Sequence, residues 1–121
     1  MHSYRRLSVW RKAHELTLRV YRVADAIHRV YPALADEFKR AALSIPSNIV
    51  EGSTCAVRKQ FAQCLGFAVA AAREVDCYLQ LAVDLGAITS KDHAMLEART
   101  DEVTRMLIGL RKTVLRQAKR Q

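Results

Sequence analysis

Apolar residues recur three and four positions apart along almost the whole chain, and four stretches of this pattern predict four helices. The first, residues 8–30, aligns Val9, Ala13, Leu16, Val20, Val23, Ile27 and Val30 on one face. Ser8 is placed to cap it, because a serine hydroxyl can accept from first-turn amides that lack an intrahelical partner. Tyr31-Pro32 closes it, since the residue before a proline is pushed out of the helical region. The second, 33–52, uses Leu34, Phe38, Ala41, Ala42, Ile45 and Ile49, with Gly52 as its C-terminal stop. Pro46 falls inside this stretch, removes one amide donor and crowds the carbonyl of Ala42, which predicts a kink or break there. Ser44, Ser47 and Asn48 stand ready to hydrogen-bond the freed backbone groups.

The third stretch, 56–86, carries Phe61, Leu65, Ala68, Ala72, Val75, Leu79 and Ala82 and ends at Gly86. Alanine is dense in it, which favours the helix and lets a neighbour approach closely. The fourth, 90–118, opens at Thr89 or Ser90 and presents Leu96, Val103, Leu107, Leu110 and Val114. No segment alternates as a strand does. Four long helices joined by short connections, in one domain spanning 1–121, predict an all-α, antiparallel up-down four-helix bundle.

Composition changes the picture mainly through charge. The net formal charge is +8, and it is unevenly placed. Residues 1–30 hold seven Arg and Lys against Glu15 and Asp25, and residues 99–121 hold seven against Asp101 and Glu102. The middle, 31–98, is net −2. In an up-down bundle the first and last helices are neighbours, so the two basic segments lie side by side. Arg11, Lys12, Arg19, Arg22 and Arg29 would line one helix, and Arg105, Arg111, Lys112, Arg116, Lys119 and Arg120 the other. Such a surface predicts polyanion binding, nucleic acid first. The chemically bland alternative is a solvated face that keeps the protein in solution.

Candidate catalytic chemistry is sparse. The dimetal enzymes built on this architecture need Glu-x-x-His on two helices, and no Glu here has His three residues on. His14 and His28 could share a face, but about 21 Å of helix separates them, too far for one metal. No phosphate loop, dinucleotide fingerprint or nucleophile elbow occurs. The expectation is a protein without enzyme activity, cofactor or metal. Cys55, Cys64 and Cys77 are odd in number and lack CxxC spacing, which suits reduced thiols. The opening Met1-His2-Ser3-Tyr4-Arg5-Arg6 precedes no apolar signal core and no apolar run is long enough for a bilayer, so a cytoplasmic protein off the membrane is expected. Glu51 and Glu74 stand close to the apolar stripe. They read either as a shared anionic site or arginine-binding partner, or as half-exposed carboxylates paired with Lys39, Arg40 or Arg73.

The block from Lys39 to Gly52, KRAALSIPSNIVEG, resembles the signature of the bacterial four-helix-bundle family found as reading frames in 23S rRNA intervening sequences. The opening Leu7-Ser8-Val9-Trp10-Arg11-Lys12-Ala13 resembles that family's first helix, and Phe61, Leu65 and Glu74 match its third; the last helix matches nothing. On this resemblance Trp10, Arg40, Ser44, Pro46, Asn48, Glu51, Gly52 and Glu74 are motif positions of structural importance. It implies a ring-like homopentamer, and a relationship to the accessory variability determinant of diversity-generating retroelements, which binds nucleic acid and partners a reverse transcriptase. The chain departs from the family pattern at Thr54-Cys55, Ala56 and Ala70-Ala71, where basic or Gly-Ser residues are usual. Any nucleic-acid contact is therefore expected on the first and last helices. The resulting expectation is a basic oligomeric scaffold that binds nucleic acid through its backbone with little sequence preference. The alternatives are an adaptor docking a ribonucleoprotein or reverse transcriptase, and a purely structural oligomer.

Overall fold

The computed structural model describes residues 3–120. A single 3-10 turn, Ser3–Arg6, leads into four helices: α1 Ser8–Ile27, α2 Pro32–Ser53, α3 Arg58–Asp84 and α4 Ser90–Ala118. Each packs against its neighbour in sequence and α1 also packs against α4, while the diagonal pairs stay apart. This is the up-down four-helix bundle that the periodicity predicts, and no strand is present among the described residues.

The apolar stripes meet as expected. Val9, Ala13, Leu16, Val20 and Ile27 are buried, as are Phe38, Ala41, Ala42, Ile45 and Ile49. So is every predicted core position of the third helix and, on the fourth, Leu96, Val103, Leu107 and Val114. Val23, Leu34 and Leu110 are partly buried against this core. Val30 is 70% exposed, because α1 ends at Ile27 and its apolar face ends with it.

The helix ends depart from expectation in instructive ways. Ser8 does not cap α1: the N-cap is Leu7, without a side-chain bond, and the Ser8 hydroxyl accepts from Arg11 Nη2 at 3.3 Å. Pro32 does not terminate α1, which ends earlier, but opens α2 at its first position, where a missing amide costs nothing. The third helix begins at Arg58 and ends at Asp84, inside the predicted range. Gly86 takes φ +72°, and the Gly86 and Ala87 amides donate to Val83 and Ala82, a glycine-dependent helix closure. Thr89 caps α4 by accepting from the Asp92 amide at 3.1 Å.

Gly52 is not a stop. It lies within α2, fully packed, and a Cβ there would come within 2.7 Å of Phe61 Cδ1 and 2.8 Å of Cys64 Cβ. Its lack of a side chain sets how closely α2 and α3 approach. Pro46 does not break the helix: α2 is continuous from Pro32 to Ser53 and Pro46 is buried within it. The carbonyl it leaves without an amide is that of Ala42. Ser47 Oγ donates instead to Leu43 O, and Asn48 Nδ2 to Ser44 O and Oγ. Ala42 O is served from the neighbouring helix, by the buried Thr17 hydroxyl at 3.2 Å, shared with Ala13 O at 2.7 Å.

Candidate nucleic-acid interface

The charges of α1 and α4 do not form one basic face. Their antiparallel register sets Lys12 against Glu102 at 3.5 Å, Glu15 against Arg99 at 2.6 Å and Arg19 against Met95 Sδ at 3.6 Å. Glu15 also accepts from Arg19 at 3.5 Å, so one carboxylate serves two guanidinium groups. The Nε–H groups of Arg19 and Arg99 are shielded and find no acceptor among the described residues. The seam between these helices is thus an ion-pair ladder, with Lys12 and Arg19 largely committed to it.

The same register separates Arg22 and Arg29 from the predicted residues of α4. Arg22 lies level with about residue 92 of α4, whereas Lys112 stands roughly 20 residues further along, about 30 Å away. Arg22 and Arg29 are therefore at the end of the bundle opposite Arg116, Lys119 and Arg120. Arg11 donates to Arg5 O at 2.9 Å and to Ser8, on the outer side of α1.

A different surface gathers cations without acids. Residues 58–73 of α3 contain Arg58, Lys59 and Arg73 and no Asp or Glu; residues 103–120 contain Arg105, Arg111, Lys112, Arg116, Lys119 and Arg120 and again no acid. These two segments lie antiparallel against each other, since Arg111 of α4 donates from Nε to Ala62 O of α3 at 3.2 Å. Arg105, Lys112, Arg116 and Lys119 recur at seven, four and three residues, which puts them on one exposed stripe. Arg116 donates to the Thr113 hydroxyl, at 3.2 Å.

Between α3 and α4 lies a cleft of about 470 Å³, lined by Gly66, Val69, Ala70, Arg73, Ile108, Arg111 and Lys112. Three cations rim it and no carboxylate lines it. Arg73 belongs to this site. Sequence reasoning reads it only as a partner for Glu51 or Glu74; the signal that points to it is the acid-free run of α3 facing the acid-free run of α4.

The motif residues have other work. Arg40 bridges Glu37, at 2.8 Å, and Glu74, at 3.2 Å, and these carboxylates hold its guanidinium well above its ordinary pKa. Tyr78 reaches Glu74 at 3.5 Å, and burial, with Glu74 adding to it, raises its phenol. Glu74 is thus an inter-helix tie between α2 and α3, while Glu51 is exposed on α2. Asp25 pairs with Lys39 and not with His28, which meets Asp36 at 3.4 Å. Trp10 lies stacked on His14, with centroids 4.9 Å apart, and edge-on to Tyr4 at 5.0 Å, so it is not an isolated ring. No cysteine is in a disulfide; Cys77 is exposed, and burial pushes the half-buried Cys64 thiol up. Among the described residues no three His, Cys, Asp or Glu side chains gather to hold a metal, and no helix is long and apolar enough to cross a membrane.

Fold and surface together define a class: an antiparallel four-helix bundle in which two acid-free basic segments pack against each other. The chain belongs to the 23S rRNA-intervening sequence protein family, whose model matches residues 5–109. The match runs through most of α4 and stops just short of Arg111. A solved structure from Bacteroides thetaiotaomicron, a protein of unknown function from the S23 ribosomal protein family, superposes with a TM-score of 0.82 at 23% identity. The alignment covers 86% of this chain and 98% of that one, and at this identity it speaks for the fold. No curated protein matches the chain.

Proposed function

We propose that the protein is a non-enzymatic scaffold that binds the phosphate backbone of nucleic acid, with little sequence preference, through the α3/α4 side of the bundle. The observation that carries this is the antiparallel apposition of two acid-free basic segments, residues 58–73 and 103–120. Arg and Lys there can neutralise phosphates and release condensed counterions, and no carboxylate within either segment repels the polyanion. A helix stripe of this kind contacts phosphates and presents no ordered set of base-reading side chains, which is the reason for expecting weak sequence preference. Salt titration of binding to duplex and single-stranded oligonucleotides tests it. The logarithm of affinity should fall linearly with the logarithm of salt concentration, and absence of binding at about 50 mM salt refutes the reading.

The protein is further proposed to act as a cytoplasmic homo-oligomer. Leu43 and Phe67 support self-association, being 51% and 55% exposed on the outer side of α2 and α3. Leu43 lies one turn beyond Arg40 and Phe67 two turns before Glu74, so both share the face marked by the Arg40–Glu74 bridge. This face is turned roughly 100° around α3 from the residues that line the cleft, and assembly through it leaves the basic surface open. Light scattering at micromolar concentration decides the point, and a monomer would exclude it.

A further inference from the structure

The cleft between α3 and α4 differs from the stripe beside it in being concave and in holding one arginine in a fixed attitude. Arg111 crosses the backbone of α3 at Gly66, where a Cβ would stand only 3.4 Å from its Nε. Its Nε–H is committed to Ala62 O at 3.2 Å, while its two terminal nitrogens make no hydrogen bond or ion pair among the described residues. Arg73 and Lys112 rim the same cleft, also unpaired among the described residues, and Val69 and Ile108 give it an apolar floor. A guanidinium anchored through Nε presents its remaining fork with little further loss of freedom, and that fork matches the oxygens of a phosphate.

We infer that this cleft binds a terminal phosphomonoester of a nucleic-acid strand, so that the protein recognises strand ends in addition to the backbone. The inference rests on the nucleic-acid reading above. The charge matching is specific: three cations with no carboxylate in the lining suit a group carrying nearly two negative charges better than an internal phosphodiester carrying one. The shape argues the same way, because an internal phosphate is flanked by chain on both sides, whereas a strand end can enter a cleft. Val69 and Ile108 then lie against the sugar and base of the terminal nucleotide. Lys112 is shared between cleft and stripe; Arg73 belongs to the cleft.

The test compares one single-stranded oligonucleotide, labelled internally, bearing a 5′-phosphate, a 3′-phosphate or hydroxyls at both ends, by fluorescence anisotropy at constant salt. One or both phosphorylated ends should raise affinity about tenfold, as expected for an added charge-assisted bidentate contact. The advantage should shrink below pH about 6, where the monoester takes up a proton. Arg73→Gln and Arg111→Lys should reduce it below twofold, while Arg116→Gln weakens all three ligands alike and leaves the ratio intact. Arg73 is exposed and makes no hydrogen bond or ion pair among the described residues, and circular dichroism checks both cleft variants. Equal affinity for phosphorylated and hydroxyl ends, with salt-dependent binding retained, overturns end recognition and leaves the backbone reading standing. If no oligonucleotide binds, the backbone reading fails, and calorimetry with AMP and adenosine decides the cleft. Tighter binding of AMP keeps a phosphomonoester site with a free nucleotide as its ligand, and no difference between the two removes the site.

Discussion

The two sides of α4 teach opposite lessons about the same residue type. Toward α1, Arg99 is drawn to Glu15, Glu102 is drawn to Lys12, and the charges are spent on one another. Toward α3 and outward, Arg105, Arg111, Lys112, Arg116 and Lys119 belong to a segment that holds no carboxylate at all. A count of basic residues per helix treats both sides alike. What separates them is the position of two glutamates, each placed by helical spacing on the seam. Net charge therefore locates a polyanion surface only after internal pairing has been subtracted.

The largest expected effect tests this contrast directly. Reversing Arg73, Lys112 and Arg116 to glutamate should weaken nucleic-acid binding about 100-fold at low salt. The slope of log affinity against log salt should become shallower by roughly one for each phosphate no longer neutralised. Isothermal titration across a salt series measures both. The same reversal at Arg22 and Arg29, at the far end of the bundle, should leave affinity within about threefold; an equal loss there would erase the distinction between the two sides.

A stability control keeps binding loss separate from loss of fold. Thr17→Val removes the hydroxyl that serves Ala42 O while keeping the shape of the side chain. It should lower stability by about 1–2 kcal/mol in urea unfolding, the cost of a buried unsatisfied carbonyl, and leave affinity unchanged. The smallest effect attacks the seam. Glu15→Gln together with Glu102→Gln releases Lys12, Arg19 and Arg99 from their partners and should tighten nucleic-acid binding by about threefold. Its cost in stability should stay below about 1 kcal/mol, because both carboxylates are 43% exposed and screened by solvent. No gain in affinity from this pair would mean that the seam lies outside the footprint.

The bundle is legible in the sequence because helical spacing of apolar residues is a local signal, and Leu16, Phe38, Leu65 and Leu107 each fall where it predicts, fully buried. Helix ends are less legible. Pro32 reads equally as the terminator of α1 and the opener of α2, and only the loss of one turn of α1 decides between them. Gly52 misleads for a similar reason. A glycine near a helix end suggests a left-handed stop, whereas here the missing side chain makes room for Phe61 and Cys64 of the neighbouring helix. The candidate site is half visible. Arg105, Arg111, Lys112, Arg116, Lys119 and Arg120 stand out from charge alone, but charge alone seeks their partner face on α1. Arg73 escapes notice because Glu74 beside it suggests local pairing; in the bundle these neighbours point to different helices, Glu74 toward α2 and Arg73 toward α4. Adjacent residues on a helix diverge by about 100°, so sequence proximity says little about shared surface.

The proline in α2 has a consequence for how the bundle finds a unique arrangement. A one-turn slip of α1 along α2 would still set apolar residues against apolar residues, so burial alone discriminates weakly against it. The Ala42 carbonyl acts as a polar key on this apolar surface, and Thr17 is its matching slot. A one-turn slip would set the threonine opposite carbonyls already saturated by their own helix and leave that of Ala42 buried and bare. Pro46 thus converts a local defect into discrimination between near-equivalent registers, widening the gap between the native pairing and its closest competitors.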